Sequence, residues 1–430
     1  MAKLFKNMLV WDANREKGVY ADVTVDNGRI LALHPVGMGH GELVYDGKGR
    51  CALLPGLVNA HTHAAMSLVR GLGEELPLMD WLRQKIWPAE EKLGAEHVLW
   101  GTRLALMEMF SSGVTSFADM YFFMDEVAKA TLESGMRATL CRGIVGVGDD
   151  GFDEKLKDGL ALADRFHGAE GRVRVQLGPH APYTVPLPLM ERIVQAASDK
   201  KVGIHLHWLE TQDEVAFFAD DLKMRPVDYL HKTGLLEAKE LLLAHCVWHP
   251  VDGLDVLAAR NVTVTHNPKS NLKLGSGFAP IKEMLAAGVR VALGTDGAAS
   301  NNRLDIWDEL RTCALMHKGY HQDPTLASAR QVLKMATVAG AVGMGYEHVG
   351  LIDPGYWADL MVVDLDQPQY VGCTEENLPE MLVYSGSSRD VRLTMVAGEV
   401  LYKDGESMTL DRAAVLYENN RLRKEIVSAL

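Results

Sequence analysis

The apolar positions of this chain fall into two rhythms. From residue 1 to about residue 56 they alternate in short stretches broken by turn signals. Val23-Thr24-Val25 leads into Asp26-Asn27-Gly28-Arg29 and out through Ile30-Leu31-Ala32-Leu33, a hairpin pattern. The far end is similar. Residues 359–364 and 391–396 are strand-like apolar runs, and Ala397-Gly398-Glu399 turns the second into Val400-Leu401-Tyr402. Chain termini usually lie near each other, so two β-rich ends predict one small β-sandwich domain assembled from residues 1–56 and 350–430.

The middle, residues 57–349, alternates short apolar runs with helical patterns, which predicts a parallel sheet with crossover helices. Strand candidates are 53–63, 114–120, 138–144, 173–180, 202–207, 241–246, 262–266 and 289–296; helical stretches between them include 101–111, 125–134 and 187–199. Eight such units fit an α/β fold of the (β/α)8 TIM-type barrel, expected in distorted form. A doubly wound open sheet would want a glycine-rich loop after its first strand, and Asn59-Ala60-His61-Thr62-His63 is not one.

Nearly every predicted strand ends on a residue able to do chemistry: His61 and His63, Asp119, Arg142, His180, His207, His245, His266 with Asn267, and Asp296. Barrel active sites are built at those C-terminal ends. His61 and His63 are two apart on a strand, so both imidazoles face one side and can bind one metal together. His205-Leu206-His207 repeats the spacing. His207, nearer the strand end, is the better ligand, and His205 reads as a hydrogen-bonded core residue. Asp296 can be both ligand and proton acceptor, although Asp-Gly is also a common turn pair. The expected metal set is therefore His61, His63, His207 and Asp296, with Glu210 just past the strand facing the same space.

Composition narrows the class. The 430 residues carry a net charge of −13, which argues against a nucleic-acid partner. No run of about 18 apolar residues predicts a membrane span, and the first residues lack a secretory pattern. Five scattered cysteines are not a disulfide framework and fit a cytoplasmic protein. No C-x-x-C is present, which excludes a zinc site of the H-x-E with P-C-x-x-C kind. Residues 417–425 read as a charged, solvated helix; a homo-oligomer is neither required nor excluded.

The segments PGLVNAHTHAAMSLVRG, IHLHWLET, AHCVWH, THNPKSNLKLGSG and LGTDGAASNNRLDIWDEL, with GLIDPGYWADLMVVD behind them, resemble the amidohydrolase superfamily. The chain is most similar to its 5-methylthioadenosine/S-adenosylhomocysteine deaminases. Binuclear relatives carry a lysine at the end of the fourth strand; here residues 173–180 hold none. The resemblance thus implies one divalent metal per chain, zinc first, with iron or manganese compatible with the same ligands. It implies an aminohydrolase acting on C–N bonds of cyclic amidines. In that role Asp296 takes a proton from water, His245 orients the water, and Glu210 protonates a ring nitrogen. It further implies a nucleoside substrate, with Glu90 on the ribose diol, His180 and Ser300 as contacts, and Trp81 in the covering segment. Arg142 matches one of two arginines for the homocysteine carboxylate. The second is missing, which tilts the expected substrate towards 5′-methylthioadenosine or adenosine. The alternatives are another N-heterocycle (guanine, cytosine or a triazine) and a metal-free, non-enzymatic homologue, which the surviving ligand set disfavours.

Overall fold

A computed structural model describes residues 1–148 and 151–430. Its strands form two sheets. The first five are β1 (Lys3–Val10), β2 (Val19–Asp26), β3 (Arg29–His34), β4 (Glu42–Asp46) and β5 (Cys51–Pro55). The barrel follows as β6 (Leu57–Thr62), β7 (Val114–Tyr121), β8 (Arg137–Ile144), β9 (Val173–Pro179), β10 (Gly203–Trp208), β11 (Leu241–His245), β12 (Val262–His266) and β13 (Arg290–Leu293). The chain then adds β14 (Leu360–Asp364), β15 (Val391–Val396), β16 (Glu399–Lys403) and β17 (Glu406–Ser407) to the first sheet.

That first sheet runs β17-β16-β15-β14-β5-β1-β2-β3, with β4 paired to β1. The two ends of the chain meet where β5 pairs antiparallel with β14, Leu53 opposite Val362. Phe5, Met8, Val25, Ile30, Leu53, Leu360 and Leu393 bury one core between them. The terminal β unit is therefore built from both ends, as the alternation predicts.

The run 53–63, predicted as one strand, is two. β5 belongs to the terminal sheet and β6 to the barrel, with Gly56 between them. A Cβ on Gly56 would lie 2.1 Å from Thr115 Cγ2, so only glycine lets the chain pass there.

The barrel strands lie in chain order, β6 to β13. Closure between β13 and β6 is made by the loop after β13. The Asp296 N–H donates to His61 O (3.0 Å), the Thr295 N–H donates to Asn59 Oδ1 (3.0 Å), and Asn59 Nδ2 donates to Thr295 Oγ1 (2.8 Å). These bonds set Asp296 against the two histidines of β6. At the opposite end Ala341, Met344 and Tyr346 pack on Val58, Ala118 and Leu242 and fill the barrel floor.

A buried pair ties barrel to terminal sheet. Arg137 donates to Asp359 through Nε (2.5 Å) and Nη2 (3.1 Å), both side chains 1% exposed. The C-terminal helix Arg412–Ser428 differs from the solvated reading. Val415, Asn419, Leu422 and Ile426 are buried, and Asn419 Nδ2 donates to Trp100 O (2.9 Å) on the helix Ala95–Ser111. One apolar or amide group per turn among charges is enough for docking, and too thin a stripe for the pattern to reveal. Among the described residues no helix is long and apolar enough to cross a membrane.

Candidate metal and active site

His61 stands near the end of β6 and His63 just beyond it, His207 near the end of β10, and Asp296 in the closing loop. Their free atoms converge. His63 Nε2 is 3.3 Å from His207 Nε2 and 3.2 Å from Asp296 Oδ1, and His61 Nε2 is 3.4 Å from the same oxygen. Each ring is held by its far nitrogen. Nδ1 of His63 bonds to Met120 O (2.6 Å), that of His207 to His180 O (2.8 Å), and that of His61 to His205 Nε2 (2.8 Å). Outer bonds of this kind fix the tautomer and ring orientation of a metal ligand. His61 Nε2 is fully buried yet has no hydrogen-bond partner. Three imidazole nitrogens and a carboxylate aimed at one point fit a divalent cation. His205 is the core residue its depth predicts, and it supports His61.

Electrostatics agree. Burial pushes His61 down to about 4 and His207 well below its ordinary value, so both offer lone pairs. Burial also opposes charge on His63, but the bond and charge of Asp296 outweigh it and hold His63 up at about 9. Burial raises Asp296 too, and the His61 and His63 rings beside it overcome this and keep it well below the carboxylate range. A metal would displace the proton that His63 and Asp296 otherwise share.

A second buried trio, His266, Cys313 and His317, also brings three donor atoms within 4.8 Å. Here the two Nε2 atoms bond to each other (3.1 Å), and neither Nδ1 has a hydrogen-bond partner among the described residues. The outer bonds of the first cluster are missing. His266 thus departs from the strand-end pattern: its ring pairs with the helix Ile306–His321.

Beside the first cluster lies a cavity of about 520 Å³, lined by His63, Trp81, Glu90, Arg142, His180, His207, Glu210, His245, Asp296 and Ser300, with His61 buried behind its wall. Every site residue expected from the sequence is thereby brought together. Burial raises Glu210 above the ordinary carboxylate range, which favours its protonated form. His245 Nε2 lies 3.9 Å from Glu210 Oε2, and its Nδ1 is 2.8 Å from Asn271 Oδ1. That acceptor places the proton on Nδ1 and leaves the Nε2 lone pair facing the cluster. His245 (φ +74°) and Asp296 (φ +61°) both adopt the left-handed backbone, sparsely populated for such residues and concentrated at functional sites.

Ser300 serves Asp296. Its hydroxyl donates to Asp296 Oδ2 (2.7 Å), as does that of Ser270 (2.6 Å). Trp81 is buried, with Nε1 donating to Leu72 O (3.1 Å). Burial raises the Glu90 carboxyl, and the Tyr121 hydroxyl and His63 oppose it. Sequence reasoning missed Ser270, Asn271 and Tyr121. The first two stand inside Thr265-His266-Asn267-Pro268-Lys269-Ser270-Asn271, whose polar density was a signal; nothing marked Tyr121 within its apolar strand.

An outer cavity of about 630 Å³ shares Trp87, Glu90, Phe122 and Arg142 with the inner one and adds Glu91, Asp125, Asp158 and Arg165. Arg165 is engaged by Asp125 through Nη2, at 2.6 and 2.9 Å from its two oxygens.

Known proteins resemble this one along nearly its whole length. The 5-methylthioadenosine/S-adenosylhomocysteine deaminase of Dictyoglomus thermophilum is 46% identical over 387 residues, 90% of each chain. The 5′-deoxyadenosine deaminase of Methanosarcina mazei is 43% identical over 408 residues, covering 94% of this chain and 93% of the other. An adenosine deaminase from Xanthomonas campestris, solved with bound zinc, superposes with a TM-score of 0.94 at 33% identity, covering 99% of this chain and 98% of that one. The Amidohydrolase family model matches residues 52–401, and the chain belongs to that family.

Proposed function

We propose that this protein hydrolyses the amino group from the adenine ring of 5′-methylthioadenosine, adenosine or S-adenosylhomocysteine, giving the inosyl product and ammonia. The observation that carries this reading is one cavity faced by the donor cluster, by the buried acid Glu210 and by Glu90. The deaminase names of its relatives support it.

One zinc ion per chain suits three imidazoles and a carboxylate, and zinc is bound in the Xanthomonas structure. When bound, it lowers the pKa of water to roughly 7 and makes a nucleophile available at neutral pH. The remaining work falls to side chains. Asp296, kept ionised by His61 and His63, accepts the proton that the attacking water loses. His245 Nε2 orients that water by accepting a hydrogen bond. Glu210, whose acid form burial favours, donates to the ring nitrogen beside the attacked carbon. The proton on Asp296 then passes to the amino group, the C–N bond breaks and ammonia leaves, and the hydroxyl proton shed as the carbonyl forms restores Glu210. Positioned acid–base transfer of this kind supplies about 10²–10⁴-fold.

Glu90 accepts from both hydroxyls of the ribose, a role a carboxylate fills because it has only acceptors. His180 and Trp81 line the same cavity beside the base. The outer cavity takes the 5′ substituent. Arg165 stands there but is already matched by Asp125, which leaves Arg142 facing both cavities. A single guanidinium for an amino-acid carboxylate favours 5′-methylthioadenosine or adenosine over S-adenosylhomocysteine.

The test is ammonia release by zinc-loaded protein from the three nucleosides, with guanine, cytosine and a triazine as controls, in native and Glu90→Ala forms. Nucleoside turnover that Glu90→Ala abolishes supports the reading. Turnover of only a free base or triazine, indifferent to Glu90→Ala, refutes it.

A further inference from the structure

Glu214 has no part in the chemistry above, yet it is 3% exposed and lies on the first turn of the helix Gln212–Ala216, directly behind Glu210. It faces Glu210, His245, Cys246, Tyr183 and Tyr229. Among the described residues no guanidinium or ammonium group bonds to it. A buried carboxyl without a cation is costly, and burial pushes this one up to about 7. What the group supplies is backbone support. Its Oε2 accepts the Glu210 N–H at 3.0 Å. Leu209 has φ +49°, a left-handed conformation that a leucine holds only when its surroundings impose it. The bend at Leu209 turns the chain from β10 so that Glu210 enters the cavity, with Oε1 3.5 Å from Ser276 Oγ and Oε2 3.9 Å from His245 Nε2.

We propose that Glu214 is a positioning residue for Glu210, holding the Leu209–Glu210 bend through its bond to the Glu210 N–H and so aiming the Glu210 carboxyl at the substrate ring. The inference rests on Glu210 being the proton donor, and the test separates the two claims. Glu214→Ala, Glu214→Asp and Glu214→Gln are made in the full zinc-loaded chain, each with and without Glu210→Ala. Deaminase kcat and KM, zinc content and melting temperature are measured.

Glu214→Ala is expected to lower kcat by about tenfold or more with KM held within about threefold and zinc retained, because acid transfer is worth about 10²–10⁴-fold and depends on aim. Glu214→Gln, whose amide oxygen still accepts, is expected to restore kcat to within about threefold of native. Glu214→Asp falls one methylene short and is expected to behave like the alanine variant; it carries the test if Glu214→Ala does not fold. On the Glu210→Ala background none of the three is expected to lower kcat further, since a residue acting through Glu210 has nothing left to position. Native kcat in Glu214→Ala and Glu214→Asp overturns the inference, and so does an equal loss in both backgrounds. Full activity in Glu210→Ala alone overturns the proton-donor reading itself.

Discussion

Asn271→Leu removes a group that touches neither metal nor substrate, and its cost can be worked from three atoms. His245 Nδ1 has Asn271 Oδ1 at 2.8 Å and Asn267 Nδ2 at 3.4 Å, all buried. The nearer partner is an acceptor and the farther a donor, so the short bond decides that Nδ1 carries the proton. Leucine is close in size and removes the acceptor. A buried N–H without a partner costs about 1–3 kcal/mol. The ring escapes that cost by changing tautomer, because a bare Nδ1 can then accept from Asn267. The proton moves to Nε2, and the lone pair that orients water is lost. Loss of an ordinary outer support costs about 10–100-fold; reversal of a catalytic histidine's tautomer in a serine protease costs about 10⁴-fold. At about 1.4 kcal/mol per tenfold these lie about 3 kcal/mol or more apart, so steady-state kcat distinguishes them. We expect a loss above about 100-fold, with zinc content unchanged, since the role proposed for His245 is to orient water and not to hold the metal. Asn271→Asp keeps an acceptor on Nδ1 and should stay within about tenfold of native. Full zinc with kcat within about threefold of native in Asn271→Leu would refute the tautomer argument.

Three further outcomes are expected. His205→Ala removes the partner of His61 Nδ1 (2.8 Å) and should weaken zinc binding about 10–100-fold in a metal-buffered titration, with little change in kcat once zinc is saturating. The rate should fall as pH rises through the Glu210 pKa, since the acid form donates and burial holds that pKa above the ordinary range; in a kcat–pH profile this alkaline limb should vanish in the residual activity of Glu210→Gln. Asp359→Leu strands the Arg137 guanidinium, 1% exposed, and should destabilise the fold by about 3–5 kcal/mol in denaturant unfolding, whereas Arg137→Met with Asp359→Leu should recover most of it.

The sequence reveals best what depends on period and spacing. Strand-end polar residues report the barrel because an alternating strand shows one face to the cavity, and both HxH pairs follow from that alone. The reading fails where contacts are made by single residues across the fold. Nothing local to Ser270 says that its hydroxyl supports Asp296, since the two lie on different βα loops. Gly56 reads as an ordinary glycine in an apolar run, and only the approach of Thr115 shows why the strand must break there. Leu422 and Ile426 are too sparse among charges to announce a buried face.

The two residue sets stand on different parts of the barrel. His61, His207, His245 and Asp296 sit on or beside strand ends, fixed by backbone bonds that also close the barrel, such as Asp296 N–H to His61 O. Moving any of them disturbs the wall itself. Trp81 and Glu90 lie instead on short helices, Leu78–Trp81 and Trp87–Glu90, in the crossover between β6 and β7. Such crossovers tolerate change better than the elements they join. On the proposed reading a substitution in this segment removes ribose recognition without touching the hydrolytic groups. By this argument Glu90→Ala should lose nucleoside turnover while its zinc content and melting temperature stay native; loss of zinc in that variant would show that the covering segment and the metal cluster are one unit.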